Sequence, residues 1–274
     1  MKTLAPSLPP PLSLTSRHTF LALSALLFLT SSALTITWCV SMSDMGDMPM
    51  PGSWSMSMMW MLMPGQTWLS AAATFIGMWS LMMVAMMLPS LTPLLWRYHQ
   101  SLQGVGINIS NARRATLTTI VALAYFLVWT ILGALLYPVG LTLAELTMES
   151  AALSRTIPTL SSLLILLAGI LQFTHWKNRH LTCCRAHPSC IPSLPANPIT
   201  AWRHGLRLGL HCNACCAPHT ILLLILGAMD LRAMALITTA ITLERLTPSG
   251  PKIAHTFGAL TLLTGLLLLI KASL

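Results

Sequence analysis

From Trp202 to His219 the chain reads Trp-Arg-His204-Gly205-Leu-Arg207-Leu-Gly209-Leu-His211-Cys212-Asn-Ala-Cys215-Cys216-Ala-Pro218-His219. Three cysteines fall within five residues, bracketed by His211 and His219. On a helix His204, His211, Cys215 and His219 lie near one face, and Cys212 and Cys216 form an adjacent i, i+4 pair. Thiolate and imidazole both suit Cu(I) and zinc. Pro218 loosens the preceding turn and gives such a site room to adapt. A lone buried cysteine is commonly a small hydrophobe, but that role does not produce this density. A second set comes earlier: His175, His180, Cys183, Cys184, His187 and Cys190. Its Cys-Cys-x-x-His and His-x-x-Cys spacings can build a zinc or copper site, zinc asking for four closed ligands, and thiols in a reducing cytosol stay available.

Methionine is the other soft donor. The chain has 18, and nine fall in one stretch: Met42, Met45, Met48, Met50, Met56, Met58, Met59, Met61 and Met63. A thioether binds Cu(I) in preference to hard cations and needs no deprotonation, so it works where a thiolate would be oxidised. Pro and Gly interrupt the stretch, so one regular helix is not expected. Trp54, Trp60 and Trp68 also fit a segment lying at a membrane interface. Further on, Met78, Met82 and Met86 recur at i, i+4, i+8, and Met83 with Met87 makes a second pair. This is a sulfur stripe on one helix. Ordinary packing also uses methionine to fill gaps, and both uses stay open.

These residues sit in a chain that is 55% hydrophobic and 8% charged, with mean hydropathy +0.73. A soluble domain carries roughly 25% charge. Apolar stretches run about 19–40, 68–88, 117–139, 157–176, 206–228, 233–246 and 253–270, several near the ~20 residues that cross a bilayer. None has the alternation of a barrel strand. The expected fold is all-α: a polytopic transmembrane bundle of six to seven spans, the 233–246 stretch being short. Residues 1–17 read as a disordered tail, 18–40 as a first, uncleaved transmembrane helix, 41–67 as a Met-rich outer loop and 68–274 as a metal-binding membrane domain. With the N-terminus cytoplasmic, 12 of the 15 Lys and Arg fall inside, leaving Arg155, Arg232 and Lys271 outside. That is the positive-inside pattern, so the net charge of +9 reads as topology, not nucleic-acid binding. The expected location is a bacterial inner membrane. Gly205-x-x-x-Gly209 can let helices approach closely, though the pattern is common by chance.

The chain resembles a family of predicted metal-binding integral membrane proteins, some labelled copper chaperones. The resemblance rests first on Met78-Trp79 with Ala85-Met86-Met87-Leu88-Pro89-Ser90, and on Ala124-Tyr125-Phe126-Leu127-Val128-Trp129. It continues in Ala168-Gly169-Ile170-Leu171-Gln172, Lys177, Cys183-Cys184-Arg185, Gly205, Gly209 and Cys212-x-x-Cys215-Cys216. The last matches are Gly227-Ala228-Met229-Asp230-Leu231, Met234 and Glu244-Arg245-Leu246. It spans about residues 75–265. The family pattern has Trp after the paired cysteines, where this chain has Ala217-Pro218-His219-Thr220, adding His219 as a ligand candidate. The resemblance implies a metal-binding membrane protein and leaves the delivered species open.

The leading expectation is therefore Cu(I) handling, with zinc as the other candidate metal. Outer methionines capture the ion, the Met78 to Met87 stripe passes it inward, Cys212, Cys215 and Cys216 receive it, and a copper-accepting protein takes it on. A membrane thiol–disulfide oxidoreductase using Cys212 and Cys215, activated by His211 or Arg207, is an alternative. So is an assembly factor whose metal site only stabilises its fold. There is no phosphate-binding Gly loop with Lys and Ser/Thr, no His-Glu-x-x-His and no acidic pair within a span, so neither an enzyme nor an ATP-driven pump is expected. No intramembrane carboxylate stands out as a proton relay, and oligomeric state is left open.

Overall fold

An apolar segment in hydrocarbon must satisfy its own backbone hydrogen bonds, and a helix does this within one segment. In the computed structural model, which describes residues 14–43, 46–52, 54–61, 65–102, 109–185 and 196–273, helices make up almost everything. They are α1 (Leu14–Ser43), α2 (Trp68–Ser101), α3 (Asn111–Glu149), α4 (Ala151–Gln172), α5 (His175–Cys184), α6 (Pro198–Leu226), α7 (Leu231–Leu246) and α8 (Gly250–Ser273). All but α5 and α7 are long and apolar enough to cross a membrane, which makes six among the described residues. The stretch expected as a short span at 233–246 is α7. Its 16 residues rise only about 24 Å, less than a bilayer core of about 30 Å. The expected tail also ends early, because α1 begins at Leu14.

Helix ends fall where side chains can cap them. Ser110, Ser150 and Thr174 each accept a backbone N–H from the first turn of α3, α4 and α5. Asn197 caps α6 ahead of Pro198, whose missing N–H costs nothing at a helix start. Asp230 accepts from Arg232 N and Ala233 N to start α7. The tight Phe173–Thr174 link between α4 and α5 turns the chain back so that α5 lies along α6. What the charge pattern marked as a loop beyond residue 177 is therefore, in part, a helix packed into the bundle.

The Met-rich segment is not an open loop. β1 (Asp47–Met50) and β2 (Trp54–Ser57) form an antiparallel hairpin pairing Met48 with Met56 and Met50 with Trp54, and a 3-10 turn follows at Met58–Trp60. The hairpin docks on the start of α4: Trp54 Nε1 donates to the Ser154 carbonyl (3.0 Å), and Ser154 Oγ donates to the Pro51 carbonyl (2.8 Å).

The core lies where α2, α3 and α6 meet, around Trp79, Tyr125, Trp129 and Cys212. Trp79 Nε1 donates to the Trp129 carbonyl at 2.9 Å, joining α2 to α3. Gly205 and Gly209 are the contact surface of α6 on α3. A Cβ on Gly205 would stand 2.4 Å from the Val121 carbonyl oxygen, and one on Gly209 would stand 2.8 Å from Val128. The small-residue pair thus sets the α3–α6 distance. Gly205→Ala should lower stability by about 1–3 kcal/mol, the usual overpacking cost, read as an earlier thermal unfolding midpoint in detergent. Outward-facing leucines such as Leu23, Leu135, Leu163 and Leu267 are exposed.

Candidate metal centre

Four thiols converge in the core. Cys212 and Cys216 lie one turn apart on α6 with their sulfurs 4.0 Å apart, and Cys215 hydrogen-bonds Cys216. Cys184, the last residue of α5, hydrogen-bonds both Cys212 and Cys215. All four side chains are buried. Donation to Cys212 and Cys215, together with burial, pushes the Cys184 thiol well above its ordinary range, so Cys184 keeps the proton and its neighbours accept. From α3, the Tyr125 hydroxyl shares a 2.8 Å hydrogen bond with Cys212 Sγ. From α7, the Arg245 guanidinium is close enough to act electrostatically on Cys184, Cys212, Cys216 and Tyr125. Its Nη1 donates to Ser90 Oγ on α2 (2.7 Å), and its Nε has no hydrogen-bond partner among the described residues.

A second buried polar set lies beside the first. Lys177 Nζ is 2.9 Å from Glu244 Oε2 and also donates to Gln172 Oε1. His219 Nε2 is 3.3 Å from Glu244 Oε1 and 3.4 Å from Gln172 Nε2, and its ring stacks on Phe257. Both charged side chains are almost fully buried. Arg185 donates to the Glu244 carbonyl at 2.9 Å and to the carbonyls of Thr247 and Pro248. This network ties α4, α5, α6 and α7 together and holds α5 so that Cys184 meets the α6 thiols.

Residues 76–268 match the family model described as PpoB2, copper chaperone. The chain belongs to this copper chaperone family. Its function is accordingly copper-related. No curated protein and no solved structure matches the chain. The region matched by the copper chaperone family holds α3 to α7 entire, so both the thiol cluster and its polar support lie within it.

The structure brings together some of the anticipated ligands and separates others. Cys212, Cys215 and Cys216 cluster as their spacing implies, and Cys184 joins them, merging two sets that lie far apart in the chain. The histidines go elsewhere: His211 Nδ1 meets His180 Nδ1 at 2.9 Å, His204 stacks on Tyr98, and His219 serves the Lys177–Glu244 network. Burial, with His211 beside it, holds His180 below the usual imidazole range. Cys183 is disulfide-bonded, so it has no thiolate to offer. Met45 and His187 lie outside the described residues, and so does the Met58 side chain. Among the described residues no three His, Cys, Asp or Glu are already placed around one metal position. The four thiols meet through hydrogen bonds.

The methionines divide. Met50 and Met56 are buried against Ala144, with Met48 and two tryptophans beside them. Strand alternation puts all three on one face of the hairpin, and the run Trp54-Ser-Met56-Ser carried that signal. On α2, Met78, Met82, Met83, Met86 and Met87 are all buried in the main core. Met42 and Met59 line a cavity next to the start of α2.

Three participants were not expected. Tyr125 lay in the matched Ala124 to Trp129 stretch without a role. Lys177 was counted among the cytoplasmic-side charges, and no intramembrane carboxylate stood out. The structure corrects this: Glu244 is 1% exposed. The readable signal was Glu244, the one carboxylate in α7, next to Arg245 at its end.

Proposed function

We propose that this protein is an integral membrane copper chaperone that holds Cu(I) at the buried thiols of α5 and α6 and hands it to an accepting protein. The observation that carries the reading is the convergence of Cys184, Cys212, Cys215 and Cys216 on one another. Thiolates are the softest side-chain donors and bind soft ions such as Cu(I) well. Two sulfurs 4.0 Å apart can take one ion between them with a small shift, since a thiolate–metal bond is about 2.3 Å, the zinc value. Four thiolates would also suit zinc; the copper chaperone family and the close Cys212–Cys216 pair support Cu(I) as the ion held here. The six apolar helices and their exposed leucines support a site within a bilayer, and the Lys and Arg distribution supports a cytoplasmic N-terminus. The buried α2 methionines offer neutral, exchangeable sulfur between the outer hairpin and the thiols. Such ligands pass an ion on without trapping it.

Protein purified from copper-supplemented cells should carry copper. A Cys212→Ser, Cys215→Ser, Cys216→Ser variant of equal thermal stability should lose most of it by elemental analysis. Equal copper in the variant, or zinc in place of copper in the parent, would refute the proposal.

A further inference from the structure

Methionine normally fills irregular gaps in a core. At the outer end of the bundle five of them surround a gap instead. A cavity of about 290 Å³ is lined by Met42 of α1, Met59 and Met61 of the turn after the hairpin, Met78 of α2 and Met229 of the α6–α7 link. Gln66, which is exposed, lines its mouth. Behind Met229, the Cys39 thiol donates to the Met229 thioether at 3.8 Å, and Cys39 itself is buried. Four separate segments therefore contribute sulfur to one place. Met59 and Met61 are held there because Trp60 between them packs on Phe75 (5.2 Å) and against Gly140 of α3, where a Cβ would stand 2.0 Å from the indole.

We propose that this cavity is a second soft-metal site, the point at which Cu(I) enters the protein. The proposal rests on the copper reading above. Thioethers are neutral, so a cation held by them alone keeps its charge in a low-dielectric wall. Cys39 supplies the missing negative charge. On binding, the Cys39 sulfur exchanges its proton for the metal, the proton leaves to solvent, and copper arrives and remains as Cu(I). Met78 belongs both to this cavity and to the α2 stripe. It is the one ligand that can pass the ion from the cavity toward Met82 and the thiols.

The test is anaerobic titration of the full-length protein in detergent with Ag(I), a redox-inert soft monovalent ion, and with Cu(I) against a chelator. The thiolate-to-metal absorption that remains in Cys39→Ser, and so belongs to the inner cluster, is the thiolate band used as an internal control. The wild type should bind one ion more than Met59→Leu/Met61→Leu/Met229→Leu, which keeps side-chain volume and should keep the thiolate band. Cys39→Ser should weaken this outer ion at least tenfold. Gly140→Ala removes no sulfur but displaces Trp60, and should weaken it comparably. An unchanged ion count and affinity in the triple methionine variant overturns the cavity site while the thiolate band leaves the inner reading standing. A missing thiolate band with the methionine-dependent ion retained does the reverse. A wild type that binds neither ion ends both.

Discussion

Glu244→Gln should destabilise the protein by about 3–5 kcal/mol, the usual cost of leaving one partner of a buried ion pair uncompensated. Lys177 is 1% exposed, and its ammonium lies 2.9 Å from the Glu244 carboxylate. With the carboxylate gone, Lys177 meets only neutral amide oxygens, of Gln172 and of the introduced glutamine, which cannot offset a buried charge. The loss should appear as an earlier unfolding midpoint in detergent and as exposure of the thiols to alkylation, because Lys177 is what anchors α5 and α5 carries Cys184. Lys177→Met added to Glu244→Gln should restore much of the stability, since it removes the buried ammonium that the first substitution leaves uncompensated. The coupling energy from the four-variant cycle then isolates the pair from the rest of the network. Additive losses would mean that the two groups do not depend on each other.

What the chain disclosed in advance follows from what hydrocarbon demands. A helix that must cross lipid needs an uninterrupted apolar run, so α1, α2, α3, α4, α6 and α8 stand out by length alone. The clustering of Cys212, Cys215 and Cys216 was legible for a similar reason: one helix fixes their relative placement through its own periodicity. Cys184 was not, because its arrival depends on the reversal at Phe173–Thr174 and on Lys177 finding Glu244 67 residues away. A charge between apolar segments reads as a loop charge unless its partner is known. That is why Lys177 and Arg245 were counted among the cytoplasmic-side charges. Gly205 and Gly209 were visible, but small residues four apart carry little information until the facing Val121 and Val128 are in place. The cavity methionines show the same limit: Met42 and Met59 belong to a conspicuous run, whereas Met229 is alone in sequence and gains meaning only beside Cys39.

Arg245→Met should weaken Cu(I) binding at the thiol cluster by a hundredfold or more while leaving the Ag(I) ion of the outer cavity unaffected. The reason is charge balance. Two thiolates and one Cu(I) carry a net charge of −1, and such a complex in a buried site needs a countercharge. Arg245 is 6% exposed, acts on Cys184, Cys212, Cys216 and Tyr125 together, and has an Nε with no partner among the described residues. A unit charge at ~5 Å in a medium of effective dielectric ~20 contributes about 3 kcal/mol, which is the expected hundredfold. Arg245→Lys should recover part of the affinity, because it keeps the charge but loses the planar fork that donates to Ser90. A merely structural role predicts otherwise: Met would then lower stability and affinity in parallel, and Lys would rescue neither. Competition titrations of the three proteins against one Cu(I) chelator, with unfolding midpoints measured on the same samples, separate the two. If Arg245→Met binds Cu(I) as tightly as the parent, the cluster does not hold its ion as an anionic bis-thiolate, and protonated Cys184 and Tyr125 must supply the compensation through hydrogen bonds to sulfur instead.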